Sequence, residues 1–262
     1  MNLRAPKLFF SFTLILFMSG FLYLGLKAAR AAETSLATTT DIVTATYIAT
    51  TTDSDLISGA APDFDGDGYS DAQEIKDGYS PFNPERIKLE KSDMDSDGLS
   101  DYFELKFKTD PFKADSDGDG FSDGAEIDLG YNPLASSSTK LSRKIEINLK
   151  AQKLTYLVGG QAWKEFLVST GKASMPTPKG NYKIVSKIKK AWSNTYKLWM
   201  PYWLGLSNSR IGIHELPFWP SGYREGANHL GKPVSHGCIR LGIGPAQYLY
   251  ERVDKGTEVV IK

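Results

Sequence analysis

Hydrophobic and polar residues alternate along the second half of the chain. From Lys144 the period-two pattern runs through "KIEINLKAQKLTYLV", "KEFLVSTG", "GNYKIVSKI", "RIGIH" and "TEVVIK". β-Branched and aromatic residues recur at alternate positions, and Gly or Pro stands at the breaks, as is typical of strands. The pattern predicts a mostly antiparallel β domain over residues 144–262. One helix is predicted at 245–253, with Pro245 in its first turn.

The N-terminal 32 residues show a different pattern. An apolar run without a charge extends from Leu8 to Leu26, and Arg4 and Lys7 precede it. A basic segment before an apolar run is typical of an export signal. The run is also long enough to span a bilayer core of roughly 30 Å. Residues 1–32 are therefore predicted to be a signal peptide or a membrane anchor, and both place the rest of the chain outside the membrane.

Charge divides the remaining chain into two modules. Residues 33–139 hold 7 Lys or Arg and 24 Asp or Glu (net −17), whereas residues 140–262 hold 20 and 7 (net +13). A Thr-rich stretch at 33–62 and a shorter polar break at 135–143 are predicted linkers. The acidic module lies between them at 63–134. The basic module suits an anionic polymer such as the cell wall, or has only a solvated basic surface.

The acidic module contains an internal repeat of twelve residues. The copies are "DFDGDGYSDAQE", "DMDSDGLSDYFE" and "DSDGDGFSDGAE", starting at Asp63, Asp93 and Asp115. Each has Asp at positions 1, 3, 5 and 9, Gly at position 6 and Glu at position 12, which is the oxygen-ligand pattern of an EF-hand-type calcium loop. Position 7 would offer its backbone carbonyl while its side chain packs inward. The predicted Ca²⁺ ligands are Asp63, Asp65, Asp67, Tyr69, Asp71, Glu74, Asp93, Asp95, Asp97, Leu99, Asp101, Glu104, Asp115, Asp117, Asp119, Phe121, Asp123 and Glu126.

The flanks of these loops differ from EF-hand pairs. No long helix is predicted before a loop, and Pro follows soon after each short helix, as in "GYSPFNP" and "GYNPLAS". Residues 63–134 resemble bacterial thrombospondin type 3 and dockerin-like calcium repeats. The resemblance implies a small module that needs Ca²⁺ to fold and serves as a spacer. An adhesive or protein-docking role is the alternative.

Cys238 is the only cysteine, so an intramolecular disulfide is excluded. A lone cysteine is commonly a small buried hydrophobic residue. Here His236 and Gly237 precede it directly, and "RIGIH" places His214 at the end of an upstream strand. Nucleophilic Cys/His catalysis needs a thiol and an imidazole that are adjacent in space. A tight turn at Gly237 would also direct backbone N–H groups at an oxyanion.

"SHGCIR" with the upstream "IGIH" resembles the signature of the L,D-transpeptidase (YkuD-like) catalytic domain. "INLKAQKLTYLVGG", "VSTGK" and "TPKGNYKI" add to the likeness, which spans residues 144–262. The resemblance implies a mainly β fold, a β-sandwich with a short helix, and Cys chemistry that needs no cofactor. By this resemblance, Cys238 is the nucleophile and His214 the proton acceptor and donor. His236 and Gly237 shape the site, and Ser235 and Arg240 bind the substrate.

Two features leave alternatives open. Twenty residues separate His214 from Ser235, more than the family usually has, and the extra segment contributes His229. His229 and His236 are therefore alternative bases. The aromatic stretches "AWSNTYKLWMPYWLGL" and "PFWPSGY" are either core residues or a wall over a glycan-peptide substrate.

Together these patterns predict an exported peptidoglycan L,D-transpeptidase of the cell envelope, active in cell-wall biogenesis and cell shape. A calcium-stabilised spacer would carry the catalytic domain. The expected partners are peptidoglycan stem peptides and, through the N-terminal segment, the membrane; nucleic acid is not expected. The alternatives are an L,D-carboxypeptidase and a non-catalytic, calcium-dependent wall-binding or adhesion protein.

Overall fold

A computed structural model of the protein describes residues 61–136 and 139–262. The predicted signal or anchor at 1–32 and nearly all of the predicted linker at 33–62 lie outside the described residues. Within the described ranges, no helix has the length and apolar character needed to cross a membrane.

A helix of seven residues follows each acidic loop. These helices are α1 (Asp71–Asp77), α2 (Asp101–Phe107) and α3 (Asp123–Leu129). Each starts with the Asp at loop position 9 and carries the Glu of position 12 in its first turn, where negative charge is favoured by the helix dipole. Each ends at a residue in the left-handed conformation, which stops the helix: Gly78, Lys108 and Gly130.

Eight strands and one longer helix form the basic domain. The strands are β1 (Arg143–Asn148), β2 (Lys153–Val158), β3 (Gln161–Ser169), β4 (Gly180–Ser193), β5 (Leu198–Leu206), β6 (Gly212–Glu215), β7 (Ile239–Leu241) and β8 (Glu258–Ile261). A 3-10 turn, Ala227–His229, lies between β6 and β7, and helix α4 (Pro245–Arg252) follows β7. The predicted helix at 245–253 is therefore present.

The strands close into a barrel in the order β1-β2-β3-β7-β6-β5-β4-β8. The predicted mainly β fold with antiparallel pairing is confirmed, since only β1–β8 and β6–β7 pair in parallel. The resemblance implied a β-sandwich, and the two sheets of the domain are in fact joined into a closed barrel. The long strand β3 pairs with β2 in one sheet and with β7 in the other, and β4 pairs likewise with β8 and with β5. These two strands therefore join the two sheets at their edges.

The acidic module packs directly on the barrel. Leu99 and Ile127 belong to the same buried cluster as the barrel residues, and Phe103 of α2 meets the Trp163 ring of β3 at 4.8 Å between centroids. At the end of α3, Arg143 donates from Nη2 to the Leu129 carbonyl at 2.6 Å. Burial of apolar side chains across this junction stabilises both parts.

Candidate active site and calcium loops

The pairing of β6 with β7 brings the predicted catalytic residues together. His214 is the direct register partner of Arg240 on the parallel neighbour strand. Side chains of paired residues lie on the same face of a sheet, and residues two apart along a strand also share a face. Cys238 lies two residues before Arg240. His214 and Arg240 therefore lie on one face, and Cys238, in the bend directly before β7, has a backbone hydrogen bond with Gly212 of β6.

Hydrogen bonds fix the turn that carries the cysteine. Gly237 has φ +113°, a conformation that side-chain-bearing residues rarely adopt. Ser235 Oγ donates to the Cys238 carbonyl at 2.6 Å and accepts from the Gly237 N–H at 3.1 Å. Thr177 Oγ1 donates to the Gly237 carbonyl and accepts from the Gly171 N–H, both at 2.8 Å. The sequence gives no sign of this role of Thr177, because nothing in its local pattern relates it to a turn 60 residues later.

His214 is buried and has a defined tautomer. Its Nδ1 lies 2.6 Å from the Glu215 carbonyl oxygen, which can only accept a hydrogen bond. Nδ1 therefore carries the proton, and Nε2 is the nitrogen free to act as a base. The Trp203 ring lies nearly parallel to the imidazole, with centroids 5.8 Å apart, and holds its orientation.

Burial favours the neutral forms of the cysteine and the histidine. It lowers the pKa of His214 to about 4, and the Arg240 charge acts in the same direction. Burial also raises the pKa of the Cys238 thiol, although a backbone hydrogen bond with Gly212 and the Arg240 charge oppose it. At neutral pH the two groups are a thiol and a neutral imidazole.

The other two histidines lie elsewhere. His236 is exposed, and its ring contacts that of Tyr196 at 4.7 Å between centroids. His229 lies in the 3-10 turn, with Nδ1 3.0 Å from Glu225 Oε1. Only His214 is on the strand that pairs directly with the strand after Cys238. This placement favours His214 over His229 and His236 as the base.

Arg240 is buried in an ion pair. Its Nη1 donates to Glu225 Oε1 at 2.7 Å. Arg224, the residue before Glu225, donates to Glu215, a second buried carboxylate. The substrate-binding role predicted for Arg240 thus concerns a guanidinium that already has a carboxylate partner inside the protein. The sequence analysis assigned no role to Glu225.

The aromatic stretches are divided between core and surface. Leu198, Leu204 and Leu206 of β5 are buried. Trp192 and Trp199 pair across the β4–β5 hairpin at 4.7 Å between centroids. Tyr196, in the turn of this hairpin, is the exposed residue that contacts His236. Part of the stretch is therefore core, as one reading predicts; the tip of the hairpin lies beside the cysteine turn, and its role as a wall over a substrate stays a prediction.

The acidic loops have the geometry that a cation needs. In each loop the first three Asp residues bring ligand atoms within 4.8 Å of one another. Several carboxylate oxygens are buried without a hydrogen-bond partner among the described residues, namely those of Asp65, Glu74, Asp95, Glu104, Asp117 and Glu126. Burial and the neighbouring Asp charges raise the pKa of Glu104 to about 9. Unpartnered buried oxygens of this kind fit a bound Ca²⁺.

The prediction for loop position 7 holds only in part. Leu99 is fully buried, as predicted, but Tyr69 and Phe121 are 46% and 65% exposed. The reason is the packing of loop 2 on α3, where Gly124 N–H donates to Asp97 Oδ2 at 2.7 Å. The Arg86 guanidinium instead covers the Tyr69 ring, with Arg86 Cζ 4.0 Å from the ring centroid.

Comparison with known families agrees with both modules. Residues 142–261 match the L,D-transpeptidase catalytic domain. Residues 63–80, 93–114 and 115–136 match the bacterial TSP3 repeat, a calcium-binding type. Both matches fall on the segments that the motifs indicate.

Curated relatives cover the catalytic domain. Two proteins of Bacillus subtilis (strain 168), YciB and YkuD, are named as candidate L,D-transpeptidases. They are 30% and 31% identical to this chain over 125 and 120 residues. Each match covers 45% of this chain and 64% of the relative, so the chain spans less than two thirds of the length of these relatives.

Solved structures also match. An L,D-transpeptidase from Mycobacterium smegmatis has 20% identity and a TM-score of 0.42, covering 48% of this chain and 60% of that one. One from Stackebrandtia nassauensis has 23% identity and a TM-score of 0.40, covering 69% and 81%.

Proposed function

We propose that the protein is an exported peptidoglycan L,D-transpeptidase with Cys238 as its nucleophile. The observation that carries the proposal is the position of Cys238 beside β6, where its thiol has a backbone hydrogen bond with Gly212, two residues before His214, together with the tautomer that leaves His214 Nε2 free. A thiol and an oriented imidazole base are the minimum for acyl transfer through a thioester. The match of residues 142–261 to the catalytic domain supports this reaction class.

The resting pair is neutral, so deprotonation and attack belong to one step. His214 Nε2 takes the thiol proton while Sγ bonds to the carbonyl carbon of the third stem-peptide residue, an L-centre. The carbonyl π electrons move to oxygen and form a tetrahedral oxyanion. In the turn, the Gly237 N–H already donates to Ser235 Oγ and is therefore not available to the oxyanion. We therefore assign the Cys238 N–H as an oxyanion donor.

Collapse of this intermediate breaks the bond to the terminal D-residue. The departing amine takes its proton from the His214 imidazolium and leaves a thioester on Cys238. An amine of a neighbouring stem then attacks the thioester, loses a proton to His214 and restores the thiol. If water attacks instead, the product is a shortened stem, and the protein is an L,D-carboxypeptidase.

Calcium has a structural part in this proposal. The loops starting at Asp63, Asp93 and Asp115 would each hold one Ca²⁺, which supplies positive charge among carboxylates that otherwise repel one another. The buried oxygens of Glu74, Glu104 and Glu126 support this assignment. Because α2 and α3 pack on the barrel, the module would act as a rigid base for the catalytic domain.

The proposed location is the cell envelope. The basic residues and apolar run of 1–32 support export, with the segment either cleaved or kept as an anchor. The net charge of +13 over residues 140–262 suits an anionic wall polymer.

The decisive test is mass spectrometry of the full chain incubated with a disaccharide tetrapeptide. A cross-linked dimer that has lost one terminal residue is expected with the native protein and not with Cys238→Ala or His214→Ala. Shortened monomer alone would identify a carboxypeptidase. Unchanged substrate would contradict the catalytic proposal and favour a wall-binding protein.

A second test uses a carbapenem as an acylating probe. The expected product is a covalent adduct on Cys238, located by peptide mapping and missing in Cys238→Ala. Turnover of the tetrapeptide without any such adduct would show that another group is the nucleophile.

A further inference from the structure

Two buried carboxylates connect the segment between β6 and β7 to the strands that carry the site. Glu215 of β6 is 4% exposed and pairs with Arg224. Glu225 is 7% exposed and pairs with Arg240, the middle residue of β7. Neighbouring residues of the segment thus bind one strand each. A buried charge pair is costly to break, because it leaves one charge without a partner.

The two pairs lie on different faces. Successive residues of a strand point to opposite faces, so Glu215 points away from the face that holds His214. Arg240 lies on the same face as His214, its register partner, and its charge acts on Cys238, two residues earlier. The Glu225–Arg240 pair therefore borders the catalytic residues, and the Glu215–Arg224 pair does not.

We propose that Glu225 is a positioning residue of the active site, which fixes Arg240 beside Cys238 and balances its charge there. This inference rests on the proposed function, since it assigns Glu225 a part in preparing that nucleophile. Glu225 Oε1 lies 2.7 Å from Arg240 Nη1 and 3.0 Å from His229 Nδ1, whereas Arg240 Nε is buried without a hydrogen-bond partner among the described residues.

The electrostatics of neighbouring groups agree with this arrangement. The Arg240 charge acts to lower the pKa of Cys238 and of His214, although burial is the larger cause in both. At His236, burial lowers the pKa, Arg240 adds to this, and Glu225 opposes it. The charged and titratable groups that interact with the pair are His214 of β6, His229 of the connecting segment, and His236 and Cys238 of the cysteine turn; Lys172, three residues after β3, acts on His236.

The test is the pH dependence of alkylation by iodoacetamide in the full chain. Cys238 is the only cysteine, so total alkylation reports on it alone. Glu225→Gln keeps an oxygen that accepts from Arg240 but removes the negative charge. Its alkylation midpoint should shift to lower pH, and its rate near pH 7 should rise roughly three- to tenfold, since one pKa unit is tenfold in thiolate.

Arg240→Gln provides the reciprocal change. It leaves Glu225 and removes the cation, so the midpoint should shift to higher pH and alkylation should slow by a similar factor. Opposite shifts from the two partners of one pair are a signature that simple loosening of the segment would not produce. Shifts in the same direction, or no shift in either variant, would overturn the proposal. If Glu225→Gln folds poorly, an unshifted midpoint in Arg240→Gln still overturns it.

Glu215→Gln is the matched control, because it removes the charge of the other buried carboxylate. Its effect on alkylation should stay below about twofold, given that its pair lies on the opposite face. A shift equal to that of Glu225→Gln would refute the specific role of Glu225. Alkylation needs no peptidoglycan, so its failure and the failure of the transpeptidase proposal can be told apart by the cross-linking assay.

Discussion

Asp128, at the end of α3, is held by Arg252, the last residue of α4. Arg252 Nε donates to Asp128 Oδ2 at 3.0 Å, and a second nitrogen of the same guanidinium donates to the same oxygen. Tyr248 and Trp163 donate to the other oxygen, at 2.6 Å and 3.4 Å. A single carboxylate of the acidic module thus accepts from three side chains of the basic domain.

Asp128→Asn should lower the stability of the acidic module and the basic domain together. The amide loses the charge and can no longer accept from all three donors, at a cost of about 1–3 kcal/mol. For a domain of this size that corresponds to a fall in melting temperature of roughly 2–4 °C for each kcal/mol. Thermal melting followed by tryptophan fluorescence measures the effect, because Trp163 lies at the junction.

Glu90→Gln is the control for Asp128→Asn. Glu90 is an exposed carboxylate of the same module, so its replacement should leave the melting temperature almost unchanged. Burial acts to raise the pKa of Asp128, but the hydrogen bonds from Arg252 and Tyr248 outweigh it and hold that pKa below its ordinary value. The stabilisation is therefore complete above the unfolded-state value near pH 4 and is lost as pH falls through the folded one. An Asp128→Asn effect that persists undiminished at lower pH would contradict this.

Calorimetric titration with Ca²⁺ should find three sites in the native protein and two in Glu104→Gln. Both carboxylate oxygens of Glu104 are buried without a hydrogen-bond partner among the described residues, and the Glu at position 12 is the bidentate ligand of such a loop. Glu85→Gln, at an exposed site between loops 1 and 2, should leave three sites. Three sites in Glu104→Gln would disprove the assignment of this ligand.

Gly124→Ala should separate loop 2 from α3. A Cβ at Gly124 would lie 2.8 Å from the Asp97 carbonyl oxygen and 2.9 Å from the Leu99 nitrogen. These are backbone atoms, which cannot move aside as a side chain can, so the expected cost is about 1–3 kcal/mol in chemical denaturation. Ala72 occupies the same repeat position in α1, where it is exposed. Ala72→Gly should cost no more than about 1 kcal/mol, and an equal loss in both variants would count against the packing argument.

Local patterns predicted most of the fold and the motifs of the site. Alternation located the segments that form β1 and β2, and Pro245 marked the start of α4. The strand β5 was missed, since "LWMPYWLGL" is apolar on both faces and has no alternation. Such a run does not show whether aromatic residues form a strand or a lid.

What local patterns could not supply was long-range pairing. The barrel closure depends on β1 meeting β8 at the far end of the domain, and no local feature of either strand specifies a parallel partner. Glu225 and Thr177 were missed for the same reason, because their partners become neighbours only when β6, β7 and the turn after β3 come together. The sequence does not distinguish Asp128 from the other carboxylates of the acidic module, because its partner Arg252 lies on α4, far along the chain.

Thr177→Val should slow acylation of Cys238 with little change in the overall fold. The substitution keeps the shape of the side chain but removes the hydroxyl that connects Gly171 to the Gly237 carbonyl. A turn displaced by a fraction of an ångström misplaces both the thiol and the oxyanion donor, so we expect roughly a tenfold loss in the rate of carbapenem acylation. Thr155→Val on β2 is the matched control and should acylate at the native rate. Native acylation in Thr177→Val would show that Ser235 alone holds the turn.

The pH dependence of acylation should show that the catalytic pair is neutral at rest. With the pKa of His214 lowered to about 4 by burial, the imidazole remains able to accept a proton down to roughly that pH. The acylation rate should therefore stay nearly constant from about pH 5 to neutrality and fall on the acid side as His214 is protonated. Because burial raises the pKa of Cys238, ultraviolet difference absorbance between the native protein and Cys238→Ala should detect no thiolate near pH 7. A thiolate signal at that pH, with acylation that declines already below neutrality, would instead indicate a thiolate–imidazolium ion pair and would require attack to follow a separate proton transfer.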